Sequence, residues 1–266
     1  VILTGSGSFR PFFYIYIYKS NTMIIQRLML LLLTFLLSVA PNLFAQENTT
    51  GMKFEHTTLA ELKKMAEAQQ KTIFIDCYTT WCGPCKRMSK DIFPDSTVGA
   101  FYNAHFINAK FDMENGEGIE IANNYNVNSY PTYLFLNSKG ELVHRSGGSM
   151  PAQEFINVGQ SAVDPKKTII YIRQTVNAKS TDPELLYNYL FGSMRAHLDI
   201  DSVIRKNTFD QINGSTISDP WNRRIVLNLG EGLDGLKKLI TLKEPLSKEI
   251  GRDSLSFYFT NYERYQ

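Results

Sequence analysis

The sequence predicts an α/β fold with a mixed central sheet flanked by helices, followed by a C-terminal all-α module. Strand and helix patterns alternate up to about residue 163 and finish in a β-hairpin, which favours a mixed sheet covered on both faces. Beyond Asp164-Pro165 the strand patterns fade and only helical spacing remains. Of the 266 residues, 43% are hydrophobic and 20% are charged, an ordinary globular balance.

The first 45 residues have the layout of a delivery segment. Met23 and Arg27 are followed by the apolar run Leu28–Leu37 and by small and turn residues up to Ala45, the three-part pattern of a secretory signal peptide. The run is shorter than the roughly 20 residues of a membrane-spanning helix, so a permanent anchor is the weaker alternative. We expect a signal peptide over 23–45, cleavage near Ala45, and an exported protein, periplasmic or otherwise extracytoplasmic, that is soluble and has no stable membrane span. Residues 1–22 are interpreted as translated upstream sequence.

The folded part opens with a helix and a buried strand. An amphipathic helix is predicted over Leu59–Gln70, because apolar residues recur there at helical spacing. Thr72–Thr80 is β-branched and aromatic around one charged residue, Asp76, which is unusual within a buried strand. A second helix opens at Cys82, and Pro84 falls in its first turn, where the missing N–H costs no hydrogen bond.

Three more strands and two more helices complete this half. A turn over Asn137-Ser138-Lys139-Gly140 joins the last two strands into a hairpin. The predicted elements are a strand over His105–Phe111, a helix over Gly118–Tyr125, strands over Thr132–Leu136 and Glu141–Arg145, and a helix from about Pro151 to Val163.

The second half is predicted to be entirely helical. Its segments carry helix caps, such as Thr181-Asp182-Pro183-Glu184 at the start of one helix. The predicted helices cover Lys166–Ala178, Asp182–His197, Asp199–Phe209 and Asp219–Leu229. We therefore expect one domain over 46–164 and a helical domain over 165–266, the latter either complete or cut short at the end of the chain.

Two of the three cysteines form a redox-competent pair at the predicted helix start. The unpaired N–H groups of the first turn and the positive end of the helix dipole stabilise a thiolate at Cys82, which makes it a nucleophile. Cys85 follows one turn later and faces inward, so it can attack a mixed disulfide at Cys82 and release the substrate. Between them, Gly83 permits close approach of a partner chain and Pro84 stiffens the turn.

These residues resemble the thioredoxin family. The matching features are Trp81-Cys82-Gly83-Pro84-Cys85-Lys86, Asp76 five positions before the tryptophan, Tyr130-Pro131-Thr132 at a strand start, and Gly147-Gly148 after the hairpin. The resemblance covers about Leu59–Val163 and implies a thioredoxin fold, here followed by the all-α module. It is nearest in character to the thioredoxin-like modules of bacterial envelope disulfide interchange proteins.

The resemblance also implies residue roles. Asp76, buried in a strand, is expected to have a raised pKa and to move a proton to and from the Cys85 thiol; a buried Asp satisfied by backbone donors is the alternative. Pro131 matches the family's cis-proline, where the preceding backbone pairs with an extended substrate; a trans turn proline is the alternative. Cys77 points to the opposite strand face and is interpreted as a buried small hydrophobe. The expected substrate-binding residues are Trp81, Gly83, Pro84, Tyr130 and Pro131.

Charge and cysteine count exclude other functions. With 28 Lys and Arg against 26 Asp and Glu, the net charge of +2 argues against a nucleic-acid partner. Neither a second CxxC nor an HxxxH accompanies the pair, so we expect no metal, and no cofactor beyond the dithiol itself. The prediction is an exported thiol–disulfide oxidoreductase that reduces protein disulfides and is recharged by a membrane thiol relay. The alternative is a binding, assembly or holdase module that uses the helical half, with the first half as a scaffold.

Overall fold

A computed structural model describes residues 26–31, 51–229, 233–252 and 254–255. The chain divides into two compact units, over 1–47 and 48–266. Within the first unit only residues 26–31 are described, and they are helical and exposed. The predicted upstream sequence over 1–22 and most of the predicted signal peptide over 23–45 lie outside the described residues. Among the described helices, none has both the length and the apolar character to cross a membrane.

The predicted mixed sheet is confirmed. Its four strands lie in the order β2-β1-β3-β4, with β1 parallel to β2 and antiparallel to β3, and β3 antiparallel to β4. The elements in chain order are α1 (Leu59–Gln69), β1 (Thr72–Tyr78), α2 (Gly83–Arg87), α3 (Ser96–His105), β2 (Phe106–Asp112), α4 (Glu117–Asn124), β3 (Thr132–Leu136), β4 (Leu142–Gly147) and α5 (Ala152–Val163), with a π-helical turn over Met88–Ile92 after α2.

Helices cover both faces of the sheet. On one face, side chains of α1 and α4, such as Leu62 and Ile121, pack with Ile75 of β1. On the other face, Tyr102 of α3 and Phe155 of α5 pack around Phe74 of β1, the two rings being 4.4 Å apart and stacked at 4°. Alternate residues of β1 thus point into two different cores, as the two-residue period of a strand requires.

The helical region between β1 and β2 differs from its prediction. The sequence indicated one helix opening at Cys82, whereas the structure has α2, the π-helical turn and then a separate helix α3. Pro94 interrupts the region, and Asp95 starts α3 by accepting hydrogen bonds from the backbone N–H of Thr97 at 2.8 Å and of Val98 at 3.1 Å. The Asp95-Ser96-Thr97 capping signal was missed because no strong apolar period follows it.

The C-terminal part consists of further helices with their own apolar core. They are α6 (Ile169–Thr175), α7 (Pro183–Arg195), α8 (Ser202–Gln211), α9 (Pro220–Leu229), α10 (Leu233–Thr241) and α11 (Lys243–Ile250), the last two of which the sequence did not predict. The core includes Leu186, Leu190, Ile225 and Leu246. Helices α6 and α7 pack against β4, the edge strand of the sheet, and so cover an edge that would otherwise present unpaired backbone groups.

Candidate active site

The Cys82–Cys85 pair lies just beyond the C-terminal end of β1, at the start of α2. The two residues form a disulfide with their Cα atoms 5.3 Å apart. The backbone N–H of Cys85 donates to Cys82 Sγ at 3.1 Å, so the first sulfur caps the helix. Cys82 and Cys85 are only 3% and 4% exposed, so accessibility does not distinguish an outer from an inner cysteine. Gly83 between them is exposed, and a Cβ there would have no neighbour within 4 Å, which leaves the surface at Gly83 open to an approaching chain.

Asp76 is buried within β1, and no hydrogen bond from the described residues reaches its carboxyl group. It is 1% exposed, and in the part of the chain that the structure describes neither of its oxygens has a hydrogen-bond partner, which argues against an Asp held by backbone donors. Lys110 Nζ approaches Oδ2 at 3.4 Å but donates its hydrogen bond to Ser89 Oγ, at 2.7 Å. Burial raises the pKa of Asp76 from 3.8 to about 6, and the positive charge of Lys110 limits the rise. Such a group can take up and release a proton near neutral pH.

Lys110 is a site residue that the sequence reasoning missed. The parallel register places it directly opposite Asp76 on β2. Its ammonium lies 5.3, 5.2 and 5.1 Å from the ring centres of Phe54, Tyr78 and Phe93, within cation–π range. The available signal was a lone Lys inside the strand segment His105–Phe111, the counterpart of the lone Asp in the preceding strand.

Aromatic side chains flank the disulfide. Trp81 is 64% exposed, its ring meets that of Tyr130 edge to face at 6.0 Å, and its Nε1–H donates to the Glu114 carboxylate at 3.0 Å. The Tyr130–Pro131 peptide bond is cis, as the resemblance implied. Within the described part of the chain, no hydrogen bond uses the backbone N–H or carbonyl of Tyr130. The exposed Trp81 ring and the half-buried Tyr130 ring therefore lie beside a backbone segment with unused donor and acceptor groups.

Cys77 lies on the other face of the sheet from Asp76. It is fully buried in the core that contains Leu62 and Ile75, and burial raises the pKa of its thiol well above the ordinary value. Its interpretation as a small buried hydrophobe agrees with this position. Among the described residues, no group of three His, Cys, Asp or Glu side chains is placed to hold a metal ion.

Comparisons with known proteins agree with this geometry. A family model described as a thioredoxin-like domain matches residues 59–162. Thioredoxin-1 of Drosophila melanogaster is 33% identical over 85 residues, which cover 32% of this chain and 75% of the relative. The chain belongs to the thioredoxin family. As in other thioredoxin-like proteins, the dithiol is the redox group, and the protein is a thiol–disulfide oxidoreductase.

Two further relatives come from bacteria. The thiol:disulfide interchange protein DsbD of Actinobacillus pleuropneumoniae is 32% identical over 105 residues, 38% of this chain but only 18% of the length of that protein. A solved protein of Bacteroides thetaiotaomicron, described as a candidate disulphide-isomerase, is 47% identical and covers 43% of this chain and 95% of its own, with a TM-score of 0.40. The helical part from α6 onward lies outside the family match.

Proposed function

We propose that this protein reduces disulfides of other proteins in the bacterial envelope through a Cys82 and Cys85 dithiol. The observation that carries the proposal is the Cys82–Cys85 disulfide at a helix start, beside the exposed Trp81 ring and the half-buried Tyr130 ring. The likeness of 105 residues to DsbD, a thiol:disulfide interchange protein, supports an extracytoplasmic setting. The predicted signal peptide points to the same setting.

Cys82 is the proposed nucleophile. Its thiolate attacks one sulfur of the substrate disulfide, the other substrate sulfur leaves as a thiolate, and a mixed disulfide forms at Cys82. The N–H of Cys85 that now contacts Cys82 Sγ at 3.1 Å is placed to stabilise the negative charge before attack. The substrate chain is received by the open surface at Gly83 and Pro84 and by the aromatic pair of Trp81 and Tyr130. The unused backbone groups of Tyr130, which precedes Pro131, pair with that chain.

Cys85 is the proposed resolving residue and Asp76 its proton acceptor. Once Asp76 takes the proton from the Cys85 thiol, the Cys85 thiolate attacks Cys82 Sγ, the substrate's remaining sulfur leaves as a thiolate, and the Cys82–Cys85 disulfide forms. Two electrons pass from the dithiol to the substrate. A carboxyl group with a pKa of about 6 is suited to accept and return that proton. The dithiol is regenerated by two electrons from a membrane thiol relay, the proposed donor.

The direction of transfer is tested by the reduction potential of the Cys82–Cys85 pair, equilibrated against dithiothreitol or glutathione buffers. We expect about −250 mV or below, because the Gly-Pro dipeptide resembles that of reducing family members. A potential above about −150 mV would instead assign an oxidant that forms disulfides in exported proteins. A matched test compares the redox state of the Cys82–Cys85 pair in cells with and without a membrane thiol relay. Full oxidation of the pair in both strains would contradict a reductase that is recharged by such a relay.

A binding or holdase role is separated from exchange by two substitutions. Cys85→Ser removes the resolving thiol, so a long-lived mixed disulfide through Cys82 is expected with substrate proteins. Cys82→Ser removes the attacking thiol and should abolish that adduct. The binding role would be favoured if Cys82→Ser keeps partner binding and the cellular phenotype and if Cys85→Ser forms no mixed disulfide.

A further inference from the structure

The helical part meets the redox domain at the same end of the strands as the disulfide. Cys82 follows the C-terminal end of β1, Pro131 precedes β3, and Gly147 ends β4. The antiparallel register pairs Cys77 with Thr132 and Thr132 with Gly147, so these three strand ends lie side by side. The next backbone beyond Gly147 is the C-terminal end of α7.

Gly147 lies between the loop that contains Pro131 and the C-terminal end of α7. A Cβ on Gly147 would lie 2.9 Å from the carbonyl oxygen of Pro131 and 2.9 Å from that of Arg195. The same Cβ would lie 3.4 Å from Cδ2 of His197. Because both close atoms belong to backbone, no side chain fits here without moving one of the two segments. The end of α7 is therefore separated from the Pro131 loop by the width of a single glycine.

Arg195 connects three elements at this point. Its Nη1 lies 3.5 Å from the carbonyl oxygen of Gly147, at the limit of a hydrogen bond, and its guanidinium lies 5.4 Å from the centre of the Phe191 ring. Its Nη2 pairs with the carboxylate of Glu154 on α5. Gly148, with φ of +81°, donates its N–H to Pro131 O at 2.9 Å. Arg195, the Gly147-Gly148 turn and Pro131 thus form one continuous chain of contacts.

His197 and Met194 are exposed at the end of α7. Met194 is 36% exposed, and His197 adopts a left-handed conformation with φ of 51° just after the helix ends. Partial burial of the ring and the charge of Arg145 lower the pKa of His197 from 6.5, so the imidazole is neutral at pH 7. A neutral imidazole both donates and accepts hydrogen bonds, which suits the amide groups of an extended polypeptide.

We propose that the end of α7 forms a second wall of the substrate-binding surface: His197 contacts the polypeptide flanking the reacting disulfide, and Arg195 positions the Gly147-Gly148 turn. This inference rests on the proposed function and adds a substrate requirement to it. Neighbouring strands are about 4.8 Å apart and an extended chain advances about 3.3 Å per residue, so reaching β4 from β1 takes about three residues. The preferred substrates are proteins with an accessible extended segment of about four or more residues beside the cysteine, whereas glutathione disulfide is too short to reach His197.

The test compares a protein disulfide with glutathione disulfide in single turnovers of the fully reduced, full-length protein, so that no recharging donor is needed. The variants are His197→Ala and Arg195→Gln. The controls are His105→Ala, an exposed histidine at the opposite end of the sheet, and Arg224→Gln, an arginine stacked on Trp221 at 4.5 Å on α9. We expect both variants, but neither control, to raise the half-saturating concentration of the protein disulfide about fivefold relative to that of glutathione disulfide.

Each other outcome overturns the inference in a distinguishable way. If His197→Ala and Arg195→Gln match their controls, α7 does not contact the substrate. If both substrates slow equally, the variants disturb the redox centre and no second wall exists. If the wild-type protein reduces neither substrate, the proposed function fails and the inference fails with it. A photo-crosslinking amino acid in place of His197, within Cys85→Ser, should also label the trapped substrate, whereas the same probe in place of His105 should not.

Discussion

At the scale of single residues, the proton chemistry depends on Asp76. Its pKa of about 6 in the folded state exceeds its ordinary value of 3.8, so the folded protein holds this proton over a pH range in which the unfolded chain has lost it. The free energy of unfolding therefore falls as pH rises from about 4 to about 6, and the full cost of about 3 kcal/mol is present above that range. A raised pKa makes the site chemically useful and the fold less stable.

Asp76→Asn removes that cost. We expect the oxidised variant to gain about 2–3 kcal/mol in free energy of unfolding at pH 7.5 and little at pH 4, together with slower resolution of mixed disulfides by Cys85. Urea denaturation at the two pH values measures the gain, with Asp91→Asn, an exposed carboxylate on the π-helical turn, as the control. Equal gains at both pH values would contradict a titrating Asp76.

Lys110→Met tests the second member of this pair. Methionine keeps apolar contact with the surrounding rings of Phe54, Tyr78 and Phe93 but removes the positive charge 3.4 Å from Asp76. The pKa of Asp76 should then rise above about 6, so the pH range over which stability is lost extends upward. The pH dependence of urea denaturation measures the change, and Lys90→Met, an exposed lysine, should leave the range where it is.

The sequence predicts part of this site and misses the rest for a physical reason. Cys82, Cys85 and Asp76 lie within ten residues, so local spacing and helix geometry identify them as candidate site residues. Lys110 and Glu114 reach the site only through strand pairing and a loop after β2. That register is set by the whole sheet and cannot be read from any one segment.

At the scale of elements, the strands and most helices follow from the sequence, because their apolar residues have a clear period. Strand β3 has the bounds that were predicted, Thr132–Leu136. Helix α3 was not predicted, because no strong apolar period follows its capping residue, Asp95. The contact between α7 and Gly147 was not predictable, because nothing in the second half of the sequence shows which strand it covers.

Gly147→Ala should weaken the junction between β4 and α7. The new methyl group would lie 2.9 Å from two backbone oxygens, those of Pro131 and Arg195, and neither can rotate away as a side chain would. We expect a loss of about 1–3 kcal/mol in the free energy of unfolding, the usual cost of overpacking. Gly83→Ala is the matched control for stability, since its methyl group would meet nothing within 4 Å. Similar stabilities of the two variants would show that the junction relaxes freely.

At the scale of the whole molecule, the apolar cores lie on either side of Asp164 along the chain. Two of the three clusters use only residues up to Ala162, one on each face of the sheet. The third uses only residues from Ile172 onward. The halves meet through smaller contacts, such as the hydrogen bond from the N–H of Ile169 to His144 Nδ1 at 2.9 Å. Burial lowers the pKa of His144 to about 3 and keeps the imidazole neutral, so that Nδ1 can accept this hydrogen bond.

A chain that ends at Asp164 should therefore fold and still exchange disulfides with glutathione, because both cores beside the sheet remain complete. It should also lose stability and self-associate as its concentration rises, since removal of α6 and α7 uncovers the edge strand β4. Circular dichroism, urea denaturation and size-exclusion chromatography over a concentration series measure these effects. A shortened chain that does not fold would show that the two halves form one cooperative domain, and one that stays monomeric at all concentrations would show that β4 needs no cover.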